Sequence, residues 1–269
     1  MAFEPGTLDL DSSPVISERR DSLAIIHLNR PDKLNALSRE MLLALSDAFK
    51  TIANESDTRA VILTGSGERA FCAGTDIGEL KEQDEEAARE VASRGQEVCD
   101  QIEGCVVPVI AAINGIAAGG GCELALACHM RIAASNAQFD LPETKLGLIP
   151  GYGGIQRLTR EIGQGRALEL MLTRRTLSGQ EALKYGLVNR VTEPAALLPE
   201  SELLAGEIAR LAPLAIRACL QAVTQGLKLP LAEGLALEAE LFASLFATED
   251  MREGTSAFLE KRAPVFKGI

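Results

Sequence analysis

The chain has 269 residues, 46% hydrophobic and 24% charged, a globular composition with enough apolar content for a large core. Lys and Arg total 27 against 38 Asp and Glu, a net charge of −11, and no basic block interrupts the acidity; nucleic-acid binding, which needs clustered cations, is not expected. Six cysteines without a C-x-x-C pair, and only two histidines, argue against a metal site and for reduced thiols in a reducing compartment.

Residues 1–14 read as a loose acidic tail without an apolar h-region or an Arg-rich bias. No signal or transit peptide is expected, and a cytoplasmic location is. Residues 22–29, SLAIIHLN, read as a strand. Ser38 is a candidate N-cap for a helix reaching Ala53, with Leu42, Leu45 and Phe49 on one face. Residues 60–64, AVILT, predict a short buried strand, followed by a glycine-bearing loop from Gly65 to Gly78. Residues 79–103 carry charge on a helical period.

Residues 109–113, VIAAI, predict another buried strand, which runs through Asn114-Gly115 into a triple glycine and the small-residue helix CELALAC. The apolar run from Val106 to Ala118 is broken by Pro108, Asn114 and Gly115 and is shorter than the roughly 20 residues of a membrane span. MRIAAS (130–135) predicts a strand, 140–154 an irregular stretch, and 154–162, 164–173 and 178–185 helices. From about 194 the pattern is helical. Strands alternating with helices predict an α/β core with parallel pairing.

Three segments carry candidate chemistry. In Gly119-Gly120-Gly121-Cys122-Glu123 a strand enters a glycine triplet at a helix start. The first N–H groups of a helix lack internal partners, so developing negative charge is favoured there, and Glu123 lies within the first turn. Taken alone, the triplet is equally a tight packing device. In Phe71-Cys72-Ala73-Gly74-Thr75-Asp76 small residues expose a backbone N–H, that of Thr75, although an ordinary loop reads the same way. The third segment is Pro142-Glu143-Thr144-Lys145 followed by Ile149-Pro150-Gly151-Tyr152-Gly153-Gly154. Glu143 stands among Phe139, Leu141, Leu146 and Leu148, an apolar setting that raises a carboxyl pKa toward neutrality; a surface Glu in a turn is the alternative.

In order and spacing these pieces resemble the enoyl-CoA hydratase/isomerase (crotonase) family. The resemblance is carried by NRPDKLNAL (29–37), AFCAGTDI (70–77), PVIAAINGIAAGGGCELALACHMRIA (108–133), PETKLGLIPGYGGIQRL (142–158) and the segments 158–191 and 246–268. It implies an α/β fold with a ββα spiral core over 15–199 and a C-terminal helical trimerisation region over 200–269. It also implies an oxyanion hole from the N–H groups of Thr75 and Gly120, catalytic Glu123 and Glu143, and a water held by the Gly151 N–H. Arg30, Lys33, Leu34, Ala73, Ile77, Lys261 and Lys267 are the expected coenzyme A contacts, the two last reaching a neighbouring subunit's ligand. Leu141 and Tyr152 are expected at the acyl end, where Tyr152 would restrict chain length.

Because both glutamates are present, the implied activity is hydration of a trans-2-enoyl-CoA to a 3-hydroxyacyl-CoA, with no cofactor beyond the coenzyme A of the substrate. An isomerase and a branched-chain hydratase of the 3-methylglutaconyl-CoA type are the alternatives, and an RNA-binding relative is the non-enzyme one. A serine hydrolase is disfavoured because no G-x-S-x-G occurs. No membrane association is expected. Apolar residues on several faces of the last helices, such as Leu203, Ile208, Leu211 and Leu214, predict burial against a partner, which the homotrimer or hexamer implied by the resemblance would supply.

Overall fold

A computed structural model describes residues 13–81, 83–173 and 175–269. The expected N-terminal tail lies, for residues 1–12, outside the described residues. The strands are β1 (Val15–Arg20), β2 (Leu23–Leu28), β3 (Ala60–Gly65), β4 (Ala70–Cys72), β5 (Val109–Ile113), β6 (Ile116–Ala118), β7 (Met130–Ala134), β8 (Gln138–Asp140), β9 (Leu177–Ser178) and β10 (Arg190–Thr192). The helices are α1 (Arg39–Ala53), α2 (Ile77–Leu80), α3 (Glu85–Glu103), α4 (Gly120–Ala127), α5 (Gly154–Ile162), α6 (Gln164–Thr173), α7 (Gly179–Tyr185), α8 (Leu197–Ala209), α9 (Pro213–Gly226), α10 (Leu231–Leu245) and α11 (Glu249–Glu260).

The strands form two sheets, one in the order β1-β2-β3-β5-β7-β10 and the other β4-β6-β8-β9. Chain order explains the division. In β3-β4, β5-β6 and β7-β8 the first strand enters the larger sheet and the second the smaller one, and a helix returns the chain to the next pair. Repeated, this step makes a spiral of ββα units. Pairing is parallel from β2 to β10, so neighbours need crossovers rather than hairpins.

β3 and β5 are buried at every position. Their alternate residues enter two separate cores, as a period of two requires. Val61, Leu63, Val109, Ala111 and Ile113 pack with the buried stripe of α1 (Met41, Leu45, Phe49) and with α3 and α4. Ile62, Ile110 and Ala112 pack under Leu197 and Ala205 of α8. The predicted cap of α1 is present, Ser38 Oγ accepting from the Met41 N–H at 3.2 Å.

The second sheet is where the structure departs from the predicted elements. The stretch 65–78 contains β4 and the first turn of α2, the glycine triplet is preceded by β6, and the irregular stretch from 140 follows β8. Each of these strands has three residues, too few to show a period. The charged stretch 79–103 is also divided, because Asp84 Oδ1 accepts from the Ala87 N–H at 2.9 Å and starts α3 afresh. β1, whose alternation is diluted by Glu18, Arg19 and Arg20, pairs antiparallel with β2 at the sheet edge.

Candidate active site

The site begins where β4 and β6 lie side by side. After β4, Leu37 pairs with Thr75 in a parallel bridge. That bridge uses the Gly74 carbonyl, which accepts from the Leu37 N–H at 2.7 Å, and the Asp76 N–H, which donates to the Leu37 carbonyl at 2.9 Å. The Thr75 N–H between them therefore points to the opposite side, and no acceptor meets it among the described residues. After β6, Gly119 adopts φ 51° and ψ −127°, a conformation open to glycine, and its N–H donates to the Asp140 carbonyl at 2.9 Å. The chain then enters α4 with Gly120 as its first residue, so the Gly120 N–H has no helical acceptor. The two amides share one space: a Cβ on Gly120 would lie 3.2 Å from Thr75 Oγ1, and one on Gly74 3.5 Å from the Gly120 nitrogen.

One turn into α4, Glu123 is 2% exposed. Its Oε1 accepts from the Tyr152 N–H at 2.8 Å and the Gly154 N–H at 2.6 Å. Burial raises its pKa; the Gly154 and Tyr152 amides, the Arg157 charge and the Gly151 amide act in the opposite direction. Glu143 opens a single 3₁₀ turn, Glu143–Leu146. A Cβ on Gly119 would lie 2.8 Å from Glu143 Oε1, and Oε2 is buried without a hydrogen-bond partner. Burial, with the nearby Glu123 and Asp140 charges adding to it, pushes this carboxyl up to about 7, against a smaller opposing effect of its own amide. The apolar setting is made differently than expected. Phe139 and Leu141 are buried, but Leu146 and Leu148 point outward, 54% and 47% exposed.

The loop 150–154 that supplies amides to Glu123 is fixed from α3 and α5. Gln96 Nε2 donates to the Gly151 carbonyl at 2.8 Å. Arg157 Nη1 donates to the Tyr152 carbonyl at 3.1 Å, while Arg157 also binds Asp100 at 2.7 Å and Glu103 at 2.8 Å. Neither Gln96 nor Arg157 was singled out from the sequence, since a Gln or Arg on a charged helical period carries no signal of its own. Tyr152 itself is buried, and its hydroxyl, raised to about 12 by burial, lies beside the Thr75 side chain without a well-formed hydrogen bond.

The structure thus brings together Thr75, Gly120, Glu123, Glu143, Gly151 and Tyr152, which are spread over almost 80 positions of sequence, while Leu141 is buried two residues before Glu143. The expected coenzyme A contacts are placed less uniformly. Leu34 and Ala73 adjoin the site, the Ala73 N–H donating to the Leu34 carbonyl at 3.0 Å, and Lys33 and Ile77 are exposed nearby. Arg30 is not a free cation: it binds Asp76 at 3.1 Å and the Ala36 carbonyl at 2.8 Å, bracing the Thr75 loop. Lys261 caps α11, and Lys267, in the segment that follows, pairs with Glu249 of α11 at 3.7 Å.

Residues 18–269 match the sequence model of the enoyl-CoA hydratase/isomerase family. The chain belongs to that family. It is 43% identical over 252 residues to a crotonyl-CoA hydratase of Syntrophomonas wolfei, covering 94% of this chain and 97% of that protein. It is 42% identical over 253 residues to a short-chain-enoyl-CoA hydratase of Clostridium acetobutylicum, again covering 94% and 97%. Among solved structures, an enoyl-CoA hydratase from Bacillus anthracis superposes with a TM-score of 0.92 at 43% identity, over 95% of this chain and 100% of that one. The two-sheet spiral followed by C-terminal helices is therefore the crotonase fold. For this family member the described residues contain no group of three or more His, Cys, Asp or Glu able to hold a metal ion, and no helix long and apolar enough to cross a membrane.

Proposed function

We propose that this family member is an enoyl-CoA hydratase that adds water syn across a trans-2-enoyl-CoA, with Glu123 as base and Glu143 as acid. The carrying observation is that two carboxyls with opposed surroundings flank a pair of unmatched amides. Glu123 receives two N–H donors, which favour its ionised form, whereas Glu143 Oε2 receives none and its carboxyl is raised to about 7. The thioester oxygen would accept from the Thr75 and Gly120 N–H groups. Glu123 takes a proton from a water steadied by the Gly151 amide, and the water oxygen bonds to C3. The C2–C3 π electrons move toward the thioester as an enolate, and C2 takes the proton of Glu143. Negative charge on the thioester oxygen is largest in the enolate, where such a donor contributes about 3–4 kcal/mol. The two groups titrate as a coupled pair, and proton return between them closes the cycle.

The names of the S. wolfei and C. acetobutylicum relatives support a short acyl chain. Lys33, Leu34, Ala73 and Ile77 would receive coenzyme A at the mouth of the site. Lys261 and Lys267 would serve a neighbour's ligand in a trimer, whose interface would cover the exposed Ile149, Leu172, Leu231, Phe242 and Phe246. Five buried thiols and one exposed one, all unpaired, fit a reducing cytoplasm. The test is loss of the conjugated enoyl absorbance of crotonyl-CoA. Glu123→Gln and Glu143→Gln should each slow it by at least about 100-fold. Near-full rates in both variants would sink the dyad.

A further inference from the structure

Tyr152 is a bulky neighbour of the two unmatched amides. Its ring is 3% exposed and fits into α3 at Gly95, where any Cβ would overlap the ring carbons. The opposite ring edge lies 3.1 Å from where a Cβ on Gly120 would stand, and the hydroxyl reaches the Thr75 side chain. The same residue's N–H holds Glu123 at 2.8 Å, and its carbonyl is held by Arg157 at 3.1 Å. The backbone of Tyr152 is thus fixed at the base while its ring spans from α3 to the amide pair. Retreat toward α3 is blocked, because the ring already fills the space that the missing Gly95 side chain leaves.

We propose that the Tyr152 ring, seated on Gly95, is the stop that limits this enzyme to short acyl chains. This rests on the hydratase reading and adds to it the residue that sets specificity. Beyond C3 a chain leaves the reacting carbons where the buried ring stands between Gly95 and Gly120, so each added methylene must displace packed atoms. The ring and the glycine act as a pair: either one alone leaves a clash or a void. The phenol oxygen is not part of the stop, since the ring carbons make the contacts with Gly95 and Gly120.

The test is kcat/KM for straight-chain trans-2-enoyl-CoAs from four to about sixteen carbons, where each methylene accommodated or refused is worth about 10- to 200-fold. The wild-type enzyme should prefer the four-carbon substrate. Tyr152→Ala should raise the ten-carbon to four-carbon ratio by at least about 10-fold, and Tyr152→Phe should keep the wild-type ratio. Tyr152→Leu, which keeps an apolar filling over Gly95, gives the same reading should the alanine variant not fold. Gly95→Ala should lower Tm in the wild-type background and have little effect in Tyr152→Ala, where the clashing ring is gone. A wild-type preference for long chains, or a ratio unmoved in both the Ala and Leu variants while crotonyl-CoA is still hydrated, overturns the stop. Absence of hydration of every chain length overturns the hydratase reading itself.

Discussion

Glu123 and Glu143 differ in what meets their oxygens. The two backbone donors on Glu123 make its anion cheaper to keep than burial alone would allow, and the absence of any on Glu143 Oε2 leaves that group favouring its proton. The consequence for stability has a definite sign. The folded-state pKa of Glu143, about 7, lies above its ordinary 4.5, so the native state holds a proton that the unfolded chain releases between those values. That contribution is complete below about pH 4.5 and is lost as pH rises through about 7. Glu143→Gln removes it, so the variant's Tm relative to wild type should be higher at about pH 8 than at about pH 5. Equal differences at both would mean an ordinary carboxyl. At this scale the sequence was informative about identity and silent about environment. Both glutamates were legible from their motifs, but Leu146 and Leu148, expected to bury Glu143, face outward, at the end of the 3₁₀ turn and just beyond it.

The site's elements are joined where glycine lets backbones touch. α4 lies directly on β4: a Cβ on Gly121 would overlap the Cys72 carbonyl. Gly121→Ala should therefore destabilise the protein by about 1–3 kcal/mol, a drop of several degrees in Tm; an unchanged Tm would show that α4 can slide. The loop 150–154 depends on Arg157, which ties the Tyr152 carbonyl to Asp100 and Glu103. Arg157→Ala should lower kcat by about 10- to 100-fold by loosening the amides on Glu123, with Arg157→Lys between it and wild type. Full activity in Arg157→Ala would place the loop's rigidity elsewhere. Long elements were legible in advance, α1 from its cap and apolar stripe and β3 and β5 from unbroken apolar runs. β4, β6 and β8 were not, since three residues held by pairing with distant strands carry no local pattern. The ion pair of Arg30 was not legible for a related reason: its partner Asp76 is 46 positions away.

For the whole molecule, one face of the larger sheet is closed by α1, α3 and α4 and the other by α8. α9 and α10 pack mainly on each other and leave Leu227, Leu231, Phe242 and Phe246 between 53% and 80% exposed. So much apolar surface on one chain should be covered by other copies, and light scattering should report three or six chains at micromolar concentration. A stable monomer would contradict this. The order of the motifs made the spiral core legible, whereas the division of strands between two sheets depends on contacts that no single segment encodes.

The proposed role of Glu143 as the acid is tested most directly by the pH dependence of kcat/KM for crotonyl-CoA hydration between about pH 5 and pH 9. A protonated Glu143 acting on C2 predicts a rate that falls on the alkaline side with an apparent pKa of about 7. A rate that stays level to about pH 9 would mean that Glu143 does not work as the acid.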